Sequence, residues 1–354
     1  MTRYGAAAAE RAQHIKETGR ATVLAIETSC DETAAAVVRG GREVLSSAVY
    51  SQIPIHRQYG GVVPELASRN HVLQLGPTVA AALGQAELDY TALDAVAVTS
   101  RPGLVGALLT GVSYAKGLAY ALSLPLMGVD HIAGHIAANY LTYPDLEPPF
   151  ACLVASGGHS HIFQVGGYNR FTQLGATRDD AAGEAFDKVA RVLGLPYPGG
   201  PALEELARAG DPLSIRFPAG FNAGAGFDFS FSGLKTAVIN YLHTAEQRGE
   251  PVNRADVAAS FQHSVVEVLV TKAVRAAQSA GSGTLALAGG VSANRALSNA
   301  LQDACDAAGL RFCRPDFRYC TDNAAMIGCA GYYALMECPP DALSLNAQAR
   351  REPG

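Results

Sequence analysis

From residue 22 the apolar positions fall into three short runs, 22–27, 33–38 and 43–49, separated by a polar turn at 28–31 and by Gly40-Gly41. Short runs rich in Ala, Val and Ile with turn residues between them predict an antiparallel meander. The same order returns after Phe150, with runs at 151–155, 160–165 and 171–176 and turns at Ser156-Gly157-Gly158-His159 and Gly166-Gly167. After each meander, helical periods alternate with strands. The first half continues with a helix over 64–83, a strand at 94–99, a helix over 104–122, a strand at 125–129 and a helix from His131. The second continues with helices around 181–193 and 256–279, a strand at 284–288, a helix from Asn294 and a strand at 311–314. Between these, Tyr197-Pro198-Gly199-Gly200-Pro201 predicts a rigid turn, and the alternating Phe227, Phe229 and Phe231 before Lys235 suit a short half-buried strand or loop.

The repeated order predicts two like α/β domains facing a central cleft, each turning its first hairpin toward a ligand. The expected boundaries are an extension over 1–20, a first domain over 21–148, a second over 149–338 with an insertion near 195–250, and a tail over 339–354. The last helix of the second domain is one that can pack back on the first.

Composition narrows the function classes. A net charge of −5 argues against a chain that coats nucleic acid unaided, because such affinity comes from many lysines and arginines displacing counterions. The seven cysteines include no Cys-x-x-Cys pair, which suits reduced thiols and a cytoplasmic location. Residues 1–20 carry Glu10, Arg11, Lys16 and Glu17 and lack the apolar centre of an export signal. The apolar stretch 102–129 is interrupted by Lys116 and by Gly103, Gly106, Gly111 and Gly117, so it reads as a buried helix and strand, with no membrane span expected.

Chemistry is suggested first by Asp130-His131-Ile132-Ala133-Gly134-His135, where His131 and His135 project from one face of a helix at a spacing that suits one metal ion. Asp322, a lone acid ahead of an Ala-rich helical run, is a third candidate ligand. Two nitrogens and a carboxylate leave coordination positions open, as catalytic sites do. The Ser156–His159 turn lets backbone N–H groups approach an anion. Gly289-Gly290-Val291-Ser292-Ala293-Asn294 adds a strand, a bend and a helix start, with Asn294 placed to read a ribose or base edge. Asp180, Glu184, Asp187 and Lys188 recur at helical spacing, which equally suits a solvated face of charge pairs.

These segments, taken in order with Glu27-Thr28-Ser29-Cys30-Asp31-Glu32-Thr33, Gly61-Val62-Val63-Pro64-Glu65-Leu66-Ala67-Ser68-Arg69 and Thr321-Asp322-Asn323-Ala324, closely resemble the tRNA adenosine threonylcarbamoyltransferase family. The resemblance runs from Val23 to about Leu335. It implies the duplicated actin, Hsp70 and sugar-kinase fold, and transfer of a threonylcarbamoyl group from threonylcarbamoyl-AMP to the exocyclic amine of the adenosine 3′ to the anticodon. It implies that His131, His135 and Asp322 hold one iron or zinc ion. Val154, Ala155, Ser156, Gly157, Gly158, Asp187, Gly200 and Asn294 would contact the adenylate, at a site that ATP or AMP can also occupy. Asp31 and Glu32 would lie near the reacting end. A degenerate paralogue and a small ATPase are the partners implied beside tRNA. Arg101 stands where the family usually has glycine.

Two other readings remain open on residues alone. A metallopeptidase would place a glutamate beside its first histidine, where this chain has Ile132. A sugar kinase or ATP-driven chaperone of the same fold would have no use for His131 and His135.

Overall fold

A computed structural model of the chain describes residues 2–218 and 226–350. The chain divides into two compact units, one running to Leu146 and resuming at Asp322, the other Glu147–Thr321. The first contains α1 (Arg3–Thr18), β1 (Thr22–Glu27), β2 (Glu32–Arg39), β3 (Glu43–Ser51), α2 (Ile53–His56), α3 (Pro64–Gln85), β4 (Ala95–Arg101), α4 (Val105–Leu122), β5 (Leu126–Asp130) and α5 (His131–Thr142). The second contains β6 (Phe150–Ala155), β7 (Ser160–Gly167), β8 (Arg170–Ala176), α6 (Ala182–Val192), α7 (Gly199–Ala207), α8 (Ser232–Arg248), α9 (Arg254–Ser279), β9 (Thr284–Ala288), α10 (Arg295–Ala308) and β10 (Arg311–Cys313). Helix α11 (Ala324–Glu337) returns to the first unit.

Each unit is built on a five-stranded sheet, ordered β3-β2-β1-β4-β5 in the first and, read the same way, β8-β7-β6-β9-β10 in the second. In both, an antiparallel meander continues into parallel strands, so the duplication legible in the hydrophobic pattern is a duplication of topology. The central strands β1, β4 and β6 are buried almost throughout, as apolar strands covered on both faces must be.

Helix α11 lies on β1, β2 and β4 although it follows the second unit in sequence. Glycine permits the approach: a Cβ at Gly328 would fall 2.7 Å from Val38 Cγ2, and one at Gly331 2.5 Å from Ala97 Cβ. Within the expected extension, Arg3–Thr18 form a docked helix. Tyr4, Ala8, Ala12 and Ile15 bury one stripe, the Tyr4 hydroxyl donates to the Leu124 carbonyl at 3.0 Å, and Gly19 closes the helix in the left-handed region. The tail is tied down too, with Asp341 N–H donating to the Leu126 carbonyl and Gln348 N–H to that of Ser100.

Helices α7 and α8 depart from the sequence expectation. At 199–201, where a turn was expected, α7 begins because the Asp187 carboxylate accepts from the N–H groups of Gly199 (2.7 Å) and Gly200 (3.2 Å). Phe229 makes a single parallel bridge with Thr177, after which Asp179 accepts from Phe231 N–H at 2.8 Å and opens α8, placing Lys235 in its first turn. Helix α4 is long and apolar enough to cross a membrane by composition, and it packs here on β4 and α3.

Candidate functional site

Three side chains distant in sequence meet in the first unit. Asp130 ends β5 and caps α5, accepting from Ile132 N–H at 2.9 Å, so the helix starts with His131 and turns His135 to the same side. Asn323 caps α11 by accepting from Met326 N–H at 3.0 Å, which fixes Asp322 at that helix's entrance. Asp322 Oδ1 lies 3.4 Å from His131 Nε2 and 3.3 Å from His135 Nε2, and the three candidate ligand atoms all lie within 4.8 Å of one another. Both histidines are buried, and among the described residues the two ring nitrogens of His135 have no hydrogen-bond partner.

The far side of His131 is held by Glu27, the last residue of β1, which is 0% exposed. His131 Nδ1 is 3.0 Å from Glu27 Oε2 and 3.2 Å from the Ser29 hydroxyl. The Thr99 hydroxyl donates to Oε2 at 2.5 Å, and Ser29 N–H donates to Oε1. Burial pushes the Glu27 and Asp322 carboxyls up, but the charge and hydrogen bonds of His131 outweigh it; Asp322 is held well below the usual carboxylate range. Burial disfavours a charged His131, yet its two carboxylate neighbours win and raise it well above an ordinary histidine, whereas burial and the His131 charge lower His135. Within its motif, Glu27 has no marker in the sequence beyond being an acid at the end of a strand otherwise apolar after Thr22.

Asp31 ends the β1–β2 turn and Glu32 opens β2, where the charge of Asp322 reaches both. Burial raises the Asp31 carboxyl. Burial and the adjacent Asp31 push Glu32 to about 8. Glu32 Oε1 accepts from the Ser51 hydroxyl at 3.0 Å, and Oε2 is buried without a partner. His71 on α3 pins this turn, its Nε2 lying 2.9 Å from the Cys30 carbonyl and its Nδ1 2.8 Å from the Thr33 hydroxyl.

In the second unit the expected loop residues gather beyond the carboxyl ends of β6 and β9. Val154 and Ala155 are wholly buried, while Gly157 and Gly158 are exposed. The Ser156 carbonyl accepts from Gly183 N–H at 3.1 Å, joining this turn to the start of α6. Gly289, at φ 89°, brings the β9 bend against the Ala155 carbonyl. Asp187 holds the start of α7 at Gly199 and Gly200, and Glu204 of that helix accepts from Arg295 N–H at the start of α10. Asn294 is occupied at both ends of its amide, capping Leu297 N–H and donating to Gln262 Oε1 at 2.8 Å. Arg178 pairs with Asp228 and Lys235 with Asp180, so neither is a free basic contact. Lys188 joins Asp180 and Glu184, the charge-pair alternative for that helix.

Known proteins place this arrangement. A family model described as tRNA N6-adenosine threonylcarbamoyltransferase matches residues 43–329. The protein of that name from Moorella thermoacetica is 57% identical over 334 residues, 94% of this chain and 98% of the relative. That from Caldicellulosiruptor saccharolyticus is 53% identical over 92% of this chain and 96% of the relative. Among solved structures, T. kodakarensis HypF is similar with a TM-score of 0.60 at 17% identity, covering 90% of this chain and 48% of HypF. Component A of the Acidaminococcus fermentans (R)-2-hydroxyglutaryl-CoA dehydratase gives 0.54 at 14%, covering 89% of this chain and 99% of that one. The two structures attest the fold alone; the matches in sequence, spanning nearly the whole length of both partners, show that the chain belongs to the tRNA N6-adenosine threonylcarbamoyltransferase family.

Proposed function

We propose that this transferase takes threonylcarbamoyl-AMP as donor and releases AMP, assisted by one iron or zinc ion on His131, His135 and Asp322. Transfer of threonylcarbamoyl to tRNA adenosine follows from family membership. The metal reading is carried by the convergence of Asp322 Oδ1 on both imidazoles at 3.4 and 3.3 Å. Ligands about 2.0–2.2 Å from one ion, at near-tetrahedral angles, lie about 3.2–3.6 Å from each other, so the donor set fits. The unpartnered ring nitrogens of His135 are a further sign of fit. A bound ion supplies Lewis acidity toward carbamoyl or phosphate oxygens.

The chain's own groups do the rest. The exposed Gly157 and Gly158, in the turn that Val154, Ala155 and Ser156 lead into, offer N–H groups to AMP, with Gly200 and Asn294 at the starts of α7 and α10 as further contacts. Asp187 and Asn294 serve by holding those starts in place. As the adenosine amine attacks the carbamoyl carbon, a C–N bond forms, the C–O bond to phosphate breaks, and the amine proton passes to a carboxylate. Asp31 is the better acceptor, because Glu32, pushed to about 8, holds its own proton at neutral pH. The peptidase alternative lacks its base, since Ile132 occupies that place on α5 and is buried. A net charge of −5 supports tRNA binding shared with partner chains; the family resemblance makes these a degenerate paralogue and a small ATPase, and the seven cysteines without a Cys-x-x-Cys pair suit a cytoplasmic location.

Incubation with threonylcarbamoyl-AMP, unmodified tRNA and those partners, followed by mass spectrometry of digested nucleosides, tests the reading. Modified adenosine with stoichiometric AMP is expected. Modification that proceeds undiminished in protein shown to be free of iron and zinc would exclude the metal.

A further inference from the structure

We infer that Glu27 is a positioning residue that fixes which nitrogen of His131 carries the proton, and so which one faces a metal. The inference rests on the reading of His131 as a ligand. An imidazole can ligate through Nε2 only if the proton is on Nδ1, and the hydrogen bond made by the other nitrogen decides this. Here that bond is to a carboxylate, His131 Nδ1 to Glu27 Oε2 at 3.0 Å, while Nε2 faces Asp322. Glu27 is itself fixed, being 0% exposed and receiving Ser29 N–H on Oε1 and the Thr99 hydroxyl on Oε2. Its partners come from the β1–β2 turn, β4 and the start of α5, so three segments converge on one carboxylate. Among the described residues His135 has no such support, since its Nδ1 is buried without a partner. The two histidines are therefore unequal: His131 is held in orientation and tautomer through Nδ1, and His135 has only packing and Asp322.

Glu27→Gln isolates the effect, because an amide has one oxygen for two sets of donors. With that oxygen on Ser29 N–H, the NH2 group faces Nδ1 and drives the proton to Nε2, against Asp322. With it on His131, the NH2 group meets Ser29 N–H donor to donor. Either arrangement weakens the ligand.

The test uses the full chain with zinc as probe, and its two readouts are chelator-competition affinity and the 15N shifts of the His131 ring, assigned with His131→Asn. Nδ1 is expected to carry a proton in the wild type, stripped or zinc-loaded. In Glu27→Gln the proton is expected on Nε2 in the stripped protein, and zinc affinity is expected to fall about 10–100-fold. Thr99→Val, which removes a donor to Glu27 and leaves the histidine bond, should keep the wild-type tautomer. Should Glu27→Gln fail to fold, Glu27→Asp keeps the charge and withdraws the carboxylate by one methylene, and the same loss of the Nδ1 proton is expected. Wild-type tautomer and zinc affinity in a folded Glu27 variant would overturn the inference. A wild type that binds no zinc, yet loses the Nδ1 proton on substitution, would instead sink the metal reading and leave the Glu27–His131 coupling standing.

Discussion

Replacing Gly289 by alanine tests whether the β9 bend is shaped for close backbone approach. Gly289 has φ 89° and ψ 166°, a region open essentially to glycine, and a side chain forced there costs about 1–3 kcal/mol. Its Cβ would also fall 2.4 Å from the Ala155 carbonyl oxygen, a backbone atom that cannot swing aside. Overpacking of this kind adds about 1–3 kcal/mol, so the total is about 2–6 kcal/mol. The neighbouring Gly290 is the control, because a Cβ there meets nothing within 4 Å and the change should stay within about 0.5 kcal/mol. At about 2–4 °C per kcal/mol, Gly289→Ala is expected to lower the melting of the second unit by at least about 4 °C in calorimetry. AMP binding should weaken alongside, because Ala155 leads into the Ser156 turn. Equal melting temperatures for the two variants would refute the argument.

Three other outcomes follow from the same geometry. Asp322→Asn removes the negative charge shared by both histidines, so metal content after dialysis should fall from one ion per chain to near none, and retention of a full complement would dismiss the Asp322 carboxylate as a ligand. Glu32, with its carboxyl raised from 4.5 to about 8, binds its proton more tightly folded than unfolded; its stabilising contribution is complete below about pH 4.5 and lost as pH rises through about 8. Glu32→Gln should therefore gain in melting temperature relative to wild type from pH 5 to 8, and a difference independent of pH would contradict the burial argument. Asp187→Ala frees the N–H groups of Gly199 and Gly200 and should cost about 0.5–2 kcal/mol in denaturant unfolding, with Asp187→Asn recovering much of it.

Residues legible in sequence were those whose neighbours are local. The two meanders, their order and the His131–His135 spacing follow from apolar periods of two and 3.6 and from glycine-rich turns, and each reappears in the fold. Helix α1 had a readable stripe in Tyr4, Ala8, Ala12 and Ile15, hidden by its alanine-rich surroundings. Helix α7 was masked because Gly199-Gly200-Pro201 is turn chemistry by itself, and it becomes a helix start only when the distant Asp187 accepts its N–H groups. The three phenylalanines before α8 alternate like a strand, yet the capping acid, Asp179, lies far upstream.

The sequence alone thus determined the order of the two meanders and of the elements that follow them apart from α7 and α8, the repeat and the kinds of side chain available for chemistry, since these depend on neighbours a few residues apart. Tertiary structure decided the rest. It carried Asp322 into the unit that holds both histidines, because glycines at 328 and 331 let α11 lie flat on β1, β2 and β4. It also turned Glu27 from one acid in a motif into the partner of His131, because a parallel sheet sets the ends of β1, β4 and β5 side by side, a proximity that no local pattern encodes.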